Sequence, residues 1–388
     1  MKIINKFNKP LIAGCATVVL ALSGCNNDQG VTQQTKPEAT ATLTQDIILK
    51  NQFAENFKIG TAISKSQVLN PTDPELLLAA KHFNTFTPEN SMKWESVNPL
   101  PNEYQFDVAD ALVSFAEQNN QQLVGHTLVW HSQTPDWVFE DDAGNPLKRE
   151  QLLKVMETHI KTVAGRYADQ IFAWDVVNEA LNEDGSLRES KWQQIIGDDF
   201  IEQAFIYAHQ AAPNAKLYYN DYNMFKPEKR AGAIALIKRL KQKGIQIDGV
   251  GMQAHYSLDY PDFTEVEDSI VAFAAAGVDV MVTELDISVL PFPENLAAGA
   301  DVSLDVALQQ QYNPYAAGLP IAVEQQLASR YQNLFALYKK HSDSIGRITF
   351  WGVSDKQTWR NGWPMAGRTD YPLLIDRDMK LKAFVNSL

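Results

Sequence analysis

Eight short runs rich in Val, Ile, Phe, Trp and Tyr punctuate this chain, at 57–63, 83–90, 122–130, 171–179, 216–223, 249–256, 279–288 and 347–355. Each has the length and composition of a buried strand. Between them lie stretches whose apolar residues fall three or four apart, at 109–118, 149–167, 200–210, 232–244 and 323–340. That is the spacing of an amphipathic helix. Gly244, Gly277 and Gly346 stand where such helices would end. Strands and helices in alternation around eight strands predict an α/β fold, a single (β/α)8 TIM barrel. A doubly wound open sheet shares the alternation, but no GxGxxG and no phosphate loop follows the first strand. At 388 residues the chain could form two or three domains of about 150 residues, yet α/β barrels reach this size as one unit.

Nothing from about Asp46 to Leu388 reads as a linker, so 46–388 is expected to be one domain. The segment 291–320 breaks the rhythm: it is long for a connection between a strand and a helix. It is either a surface insertion or a rim that shapes a cleft. A composition of 45% hydrophobic and 21% charged residues leaves ample material for a large core. The net charge of −13 argues against nucleic-acid phosphates as partners.

The N-terminus is not expected to belong to the fold. Lys2, Lys6 and Lys9 precede an apolar run from Leu11 to Leu22, and small residues follow. This is the layout of a secretory signal, too short to span a membrane as a helix. Leu22-Ser23-Gly24-Cys25 resembles the lipobox of bacterial lipoproteins, in which the cysteine is lipidated and becomes the mature N-terminus. The signal is therefore expected to be 1–24. Ile12-Ala13-Gly14-Cys15 fits the pattern loosely, with little apolar sequence before it. An ordinary signal with an incidental Cys25 is the plainer alternative. Residues 25–45 carry little bulk and read as a flexible tether. Cys15 and Cys25 are the only cysteines, so the exported domain would have no disulfide to staple it. Asn26 in place of Asp after Cys25 resembles the sorting signals that send lipoproteins of enteric bacteria to the outer membrane. The expectation is an exported protein, lipid-anchored to a bacterial outer membrane and touching it through that lipid alone.

A barrel of this class concentrates its chemistry at the C-terminal ends of its strands. The second strand ends in Glu89-Asn90, with Lys93 and Trp94 just beyond. The third carries His126, Trp130 and His131, and the fourth ends in Asn178-Glu179. The fifth ends in Asn220-Asp221, the sixth in Gln253 and His255, and the seventh in Glu284 and Asp286. The eighth carries Trp351 and Asp355, and Trp359 follows. Such a succession of carboxylates, amides, imidazoles and indoles describes the floor of a polar, aromatic-lined cleft. Glu179 and Glu284 each close a strongly apolar strand, and strands four and seven bring their ends to facing sides of a barrel mouth. Paired carboxylates flanking a bond are the apparatus of glycoside hydrolysis. One protonates the departing oxygen; the other attacks the sugar carbon or activates water. The alternative is two structural strand-end residues in salt bridges. Metal chemistry finds little support: there is no HExxH and no cysteine cluster, and His126 and His131, five apart on a strand, face opposite sides. Nor does a GxSxG nucleophile elbow occur. No cofactor is expected.

The motifs FTPENSMKWE (86–95), GHTLVWHSQTPDW (125–137), WDVVNEA (174–180), YNDYN (219–223), GVGMQAHY (249–256), VTELDIS (282–288) and FWGVSD (350–355) follow in order at these strand ends. Through them the chain, from about Phe53 onward, resembles glycoside hydrolase family 10, the endo-1,4-β-xylanases. The resemblance implies that Glu179 is the general acid/base and Glu284 the nucleophile of a retaining double displacement, with carboxyls about 5–5.5 Å apart. It implies that Asn178 bonds the 2-hydroxyl of the sugar being cleaved, and that His255 orients Glu284 and keeps it ionised, with Asp286 in support. Glu89, Asn90 and Lys93 would hold the next sugar on the non-reducing side. His126, Trp130 and Gln253 would complete the central subsite, and Trp351 and Trp359 would close over it. Glu179 must be protonated at working pH, so its pKa is expected to be raised by the charge of Glu284 and by partial desolvation. The expected substrate is β-1,4-xylan or xylo-oligosaccharide, bound by a monomer. A related β-1,4-glucanase is one alternative. A non-catalytic sugar-binding lipoprotein is another, and the presence of both carboxylates counts against it. The segment 291–320 is longer than in compact members of the family, which bears on the rim and the leaving-group subsites. A lipid tether without a visible carbohydrate-binding module suggests soluble oligosaccharides as substrates.

Overall fold

The computed structural model describes residues 47–293 and 310–388. The expected signal, Cys25 and tether lie outside these residues, as does the middle of the segment 291–320. Eight strands run β1 (Lys58–Ile63), β2 (Thr85–Pro88), β3 (Gln122–Trp130), β4 (Ile171–Asn178), β5 (Lys216–Asp221), β6 (Gly249–Met252), β7 (Asp279–Ser288) and β8 (Ile345–Phe350). Each pairs in parallel with the next. β8 then pairs with β1, Arg347 beside Lys58, and the ring is closed: a (β/α)8 barrel. A short continuation of β6, His255–Ser257, pairs with the far end of β7 and sets His255 beside Asp286.

Among the described residues seven helices of eight residues or more fill the connections: α1 (Pro74–His82), α2 (Asp107–Gln118), α3 (Arg149–Arg166), α4 (Phe200–Ala211), α5 (Pro227–Gln242), α6 (Phe263–Ala275) and α7 (Ile321–Lys340). Apolar spacing had not singled out α1 or α6, yet both carry start signals. Asp73 accepts from the backbone N–H groups of Glu75 and Leu76, with Pro74 in the first turn, where its missing N–H costs nothing. Asp262 and Glu265 cap α6 reciprocally. Gly244 and Gly277 follow α5 and α6 at φ +69° and +75°, a left-handed conformation that side chains disfavour. Gly346 does not end a helix. It is the second residue of β8, and the preceding turn is closed by Ser344 N–H on the His341 carbonyl, 2.9 Å, which needs no glycine.

Strand alternation divides the core in two. A large shell packs between the strands and the helices, whereas Val124, Ala173, Tyr218 and Met281 form a small plug of their own. Gly249 makes room for that plug: a Cβ there would lie 1.9 Å from the Tyr218 ring. One alternation further toward the C-terminal ends, the same faces of β3, β4, β5 and β7 carry His126, Asp175, Asn220 and Thr283, all buried. Buried polar groups require partners. His126 Nδ1 lies 2.9 Å from Asp175, and the Thr283 hydroxyl donates to Asn220 at 2.6 Å. The barrel interior thus turns polar where the cleft begins.

After β8 no α-helix follows among the described residues. A single turn, Ala383–Ser387, packs on α7, with the Phe384 and Tyr331 rings 5.7 Å apart. The helical turn Leu49–Gln52 lies beside it: the Gln52 amide donates to the carbonyls of Val385 and Leu388 at 3.0 and 3.1 Å. Phe53 then meets Phe335 of α7 at 4.9 Å. Both ends of the described barrel close the same seam.

Candidate active site

Four consecutive strands finish in the same unusual way. Gln133, Glu179, Asn223 and Ala254, just past the ends of β3, β4, β5 and β6, all have positive φ, between +47° and +64°. A non-glycine residue in this region costs roughly 1–3 kcal/mol and persists only where its surroundings enforce it. At Glu179 the surroundings are visible. Its N–H still donates to the Asn220 carbonyl at 2.9 Å, continuing the β4–β5 ladder, while the turned backbone carries its side chain into the cleft. There the carboxylate accepts from Trp130 Nε1 at 3.1 Å and from Gln253 Nε2 at 3.0 Å.

Across the mouth, Glu284 sits within the long strand β7. One oxygen accepts from Asn220 Nδ2 at 2.8 Å; the other lies 3.2 Å from His255 Nε2. Asn220 fits here because residue 251 on β6 is glycine: a Cβ at that position would fall 2.2 Å from the Asn220 side-chain oxygen. Behind His255 stands Asp286, fully buried, 3.1 Å from Nδ1. Asp286 also accepts from Trp359 Nε1 at 2.6 Å and from the Arg360 guanidinium at 2.8 Å. The result is an unbroken row of alternating charges: Glu284, His255, Asp286, Arg360.

The two carboxylates are biased in opposite directions. Burial raises the pKa of Glu179, and the negative charges of Asp221 and Glu284 raise it further, beyond what the Gln253 and Trp130 bonds recover. Burial also acts on Glu284, but the hydrogen bond from His255 and the charges of His126, His255 and Lys93 overcome it and hold Glu284 below its ordinary value. His255 itself is lifted to about 9, because Asp286 and Glu284 outweigh the cost of burying an imidazolium. Asp286 falls to about 2: burial opposes its ionisation, and the charges of Arg360 and His255 prevail. The expected raising of Glu179 is present, with burial and Asp221 as causes ahead of Glu284. Asp221 is itself buried, 2.9 Å from the buried Lys229.

Glu179 and Glu284 line one cavity of about 520 Å³. Asn178, His255, Glu89, Asn90, Lys93, His126, Trp130, Gln253, Trp351 and Trp359 line it with them, and Asp286 lies beneath. The Asn178 amide sits 3.0 Å from that of Asn220. Lys93 donates to Asn90 and Gln133 at 3.0 Å each, and its ammonium lies 4.9 Å from the Trp130 ring centre. Three residues named with the strand ends are elsewhere, and the first, Trp94, is buried in a stack on the His159 ring at 3.5 Å. Asp355 turns away to pair with Lys382 at 2.8 Å, and His131 does not line this cavity. Cys25 lies outside the described residues. Other lining residues had not been singled out: Gln133, Tyr222, Asn223, Lys226, Tyr260, Leu290, Phe292, Arg360 and Trp363. Gln133, Tyr222 and Asn223 lie inside the motifs GHTLVWHSQTPDW and YNDYN, a signal that was available. Phe292 lies in the segment 291–320, whose length had marked it as a possible rim; Trp363 sits in a loop without periodicity and had no signal. Among the described residues no group of three or more His, Cys, Asp or Glu is placed to hold a metal ion.

This chain is similar to proteins named as xylanases. It is 45% identical over 341 residues to endo-1,4-β-xylanase A of Xylanibacter ruminicola, covering 88% of this chain and 92% of that one. It is 42% identical over 330 residues to an endo-1,4-β-xylanase of Geobacillus stearothermophilus, covering 84% and 93%. Among solved structures, an endoxylanase from a sugarcane soil metagenome matches with a TM-score of 0.82 and 43% identity, over 88% of this chain and 98% of that one. An intracellular xylanase of Thermoanaerobacterium saccharolyticum, solved as a mutant with xylotriose, matches with a TM-score of 0.77 and 37% identity, over 88% and 99%. The family model for glycosyl hydrolase family 10 matches residues 48–388, and the chain belongs to that family.

Proposed function

We propose that this protein is a retaining endo-1,4-β-xylanase that cleaves internal β-1,4 bonds of xylan or xylo-oligosaccharides. The observation that carries the reading is the opposite bias of two facing carboxyl groups, one pushed toward its protonated form and the other toward its ionised form. In the first step Glu284 attacks the anomeric carbon while Glu179 gives its proton to the departing oxygen, leaving a glycosyl ester on Glu284. The ester has no charge, so part of what raised the pKa of Glu179 disappears. Glu179, now a carboxylate, takes a proton from water. That water attacks the anomeric carbon, and Glu284 leaves with its charge restored. Burial and Asp221, which pairs with Lys229, are not altered by ester formation, so they bias Glu179 upward in both half-reactions. That fits a group which must be reprotonated in every cycle. Asn178 is assigned to the 2-hydroxyl of the central sugar. Glu89, Asn90 and Lys93 take the next sugar. His126, Trp130, Gln253, Trp351 and Trp359 enclose the centre. The xylotriose complex of the related T. saccharolyticum enzyme supports a pentose chain as the ligand.

The test is the product. Nuclear magnetic resonance on freshly cleaved xylo-oligosaccharide should show the β-anomer first. Early α-anomer would mean inversion and would exclude a covalent intermediate. Activity on carboxymethyl-cellulose exceeding that on xylan would favour the glucanase alternative.

We further infer a lipoprotein form, on the support of the Lys2–Leu22 signal pattern and Leu22-Ser23-Gly24-Cys25. Residues 1–24 would be removed, Cys25 lipidated, and 25–45 would tether the catalytic domain of 46–388, as a monomer, to the outer membrane. Soluble oligosaccharides are then the preferred substrate. Cys25→Ser should move the enzyme from the outer-membrane fraction to the soluble one. Unchanged fractionation would sink the anchor.

A further inference from the structure

Beyond Trp359, one wall of the cleft takes no part in the chemistry above. The end of β2, with Glu89, Asn90 and Lys93, and the loops after β5 and β6, with Tyr222 and Tyr260, lie on opposite sides of the barrel mouth. A sugar chain running between them is flanked by β7 and β8. On that flank Trp359, Trp363 and Phe292 form a ladder of rings, with centroids 4.8 Å and then 5.3 Å apart. Trp359 reaches the catalytic groups through Asp286 and its ring lies 4.9 Å from His255. Phe292 stands at the other end of the ladder, where the long connection after β7 begins, and is half-buried.

The wall is braced. Arg368 donates to the Pro291 carbonyl at 3.0 Å, and Asp370 accepts from Val289 N–H at 3.1 Å. Where the connection becomes described again, Asn313 accepts from Thr369 N–H at 2.8 Å. Both ends are therefore tied to the same stretch after β8, and Phe292 has a fixed backbone beneath it. Its chemistry is apolar. Two cations stand near the ladder and both are engaged: Arg360, 4.7 and 5.3 Å from the Trp359 and Trp363 rings, by Asp286, and Arg368 by the Pro291 carbonyl. An aromatic face beside a carbohydrate fits the C–H face of a sugar ring. Because it flanks the path of the chain, it fits a ring projecting sideways from the backbone.

We propose that Leu290, Phe292 and Trp363 form a lateral subsite for a neutral sugar substituent, a pentose branch carried by a backbone unit bound at the middle of the cleft. The proposal rests on the xylan reading above. It gives the first turn of the long β7–α7 connection a role in choosing substrate.

The experiment compares kcat/KM on a linear xylo-oligosaccharide with that on the same backbone bearing one α-arabinofuranosyl branch. Phe292→Ala is the probe, since Trp363 also packs on Trp359. The variant should lose roughly three- to tenfold on the branched substrate and change less than about twofold on the linear one. Phe292→Tyr should restore the branched rate. A glucuronyl-branched substrate should lose no more than the linear one. Equal losses on linear and arabinosyl substrates, or no loss on the arabinosyl one, overturns the proposal. A loss on the glucuronyl substrate as large as on the arabinosyl one overturns its restriction to neutral branches. Wild-type enzyme turning over none of the three would instead remove the xylan reading.

Discussion

The ends of β4 and β7 carry the same residue at the same 5% exposure, and they bias it in opposite directions. Burial alone would raise both carboxyls. At the end of β4, Glu179 meets neutral donors, the Trp130 indole and the Gln253 amide, with the Asp221 carboxylate beneath. At β7, Glu284 meets a cationic imidazole backed by a carboxylate and a guanidinium, with Lys93 and His126 nearby. Desolvation is common to both, so neighbouring charge decides the role. The lesson is that a buried glutamate in a cleft does not declare itself acid or nucleophile until its partners are counted.

The contrast can be broken from either side. Removing the nucleophile is the largest blow: Glu284→Ala should cut turnover by about 10⁴-fold or more on every substrate. Activity within tenfold of wild type would take the β7 end out of the chemistry. Glu179→Ala should lose roughly 10²–10⁴-fold on xylan and much less on aryl xylosides whose leaving groups need no proton. Equal losses on both would contradict the acid role.

Subtler changes sharpen the comparison. His255→Gln keeps a donor for Glu284 and removes the cation. Glu284 must be ionised to attack, and without that charge its pKa rises. The acid limb of kcat/KM should therefore move to higher pH by about one to two units. An unmoved limb would mean that Lys93 and His126 suffice. Asp221→Asn acts on the other end and should do least. It leaves Lys229 an acceptor but removes a negative charge near Glu179, whose pKa should fall. Glu179 must be protonated, so the alkaline limb should move to lower pH, by less than about one unit. If it stays, burial and Glu284 set the acid.

Much of this architecture is legible in the chain because one rule governs it. A strand buried on both faces reads as a continuous apolar run, and the first polar residues to interrupt it mark the mouth, even where, as at Glu284, the strand itself runs on. Glu179 and Glu284 could be found that way, as could Asn220, although its bridging bond to Glu284 could not. That bond depends on Gly251 of a different strand, and no local pattern reports such a vacancy. The causes of the pKa biases were legible only in part. Glu284 was expected to act on Glu179, whereas the greater charge effect comes from Asp221, which itself stood in plain view at the end of the fifth run. Asp355 obeyed the strand-end rule by position but faces Lys382, because the chain after β8 folds back over it. Phe292 and Trp363 meet across two loops, and contacts between loops leave no period in either sequence. Cys25 and the tether lie outside the described residues, so the sequence is the only ground for them.

The seam where β8 meets β1 has a consequence for how the molecule comes into being. Of the eight strands a ribosome makes β1 first and β8 last, yet Lys58 must lie beside Arg347. Until that final strand emerges, β1 presents an open edge, the kind of surface on which other chains pair and aggregate. The Gln52 contacts with Val385 and Leu388 come later still. Closure is thus deferred until the last strand of the barrel has been made, and until then the nascent barrel stays unsealed and open to a chaperone.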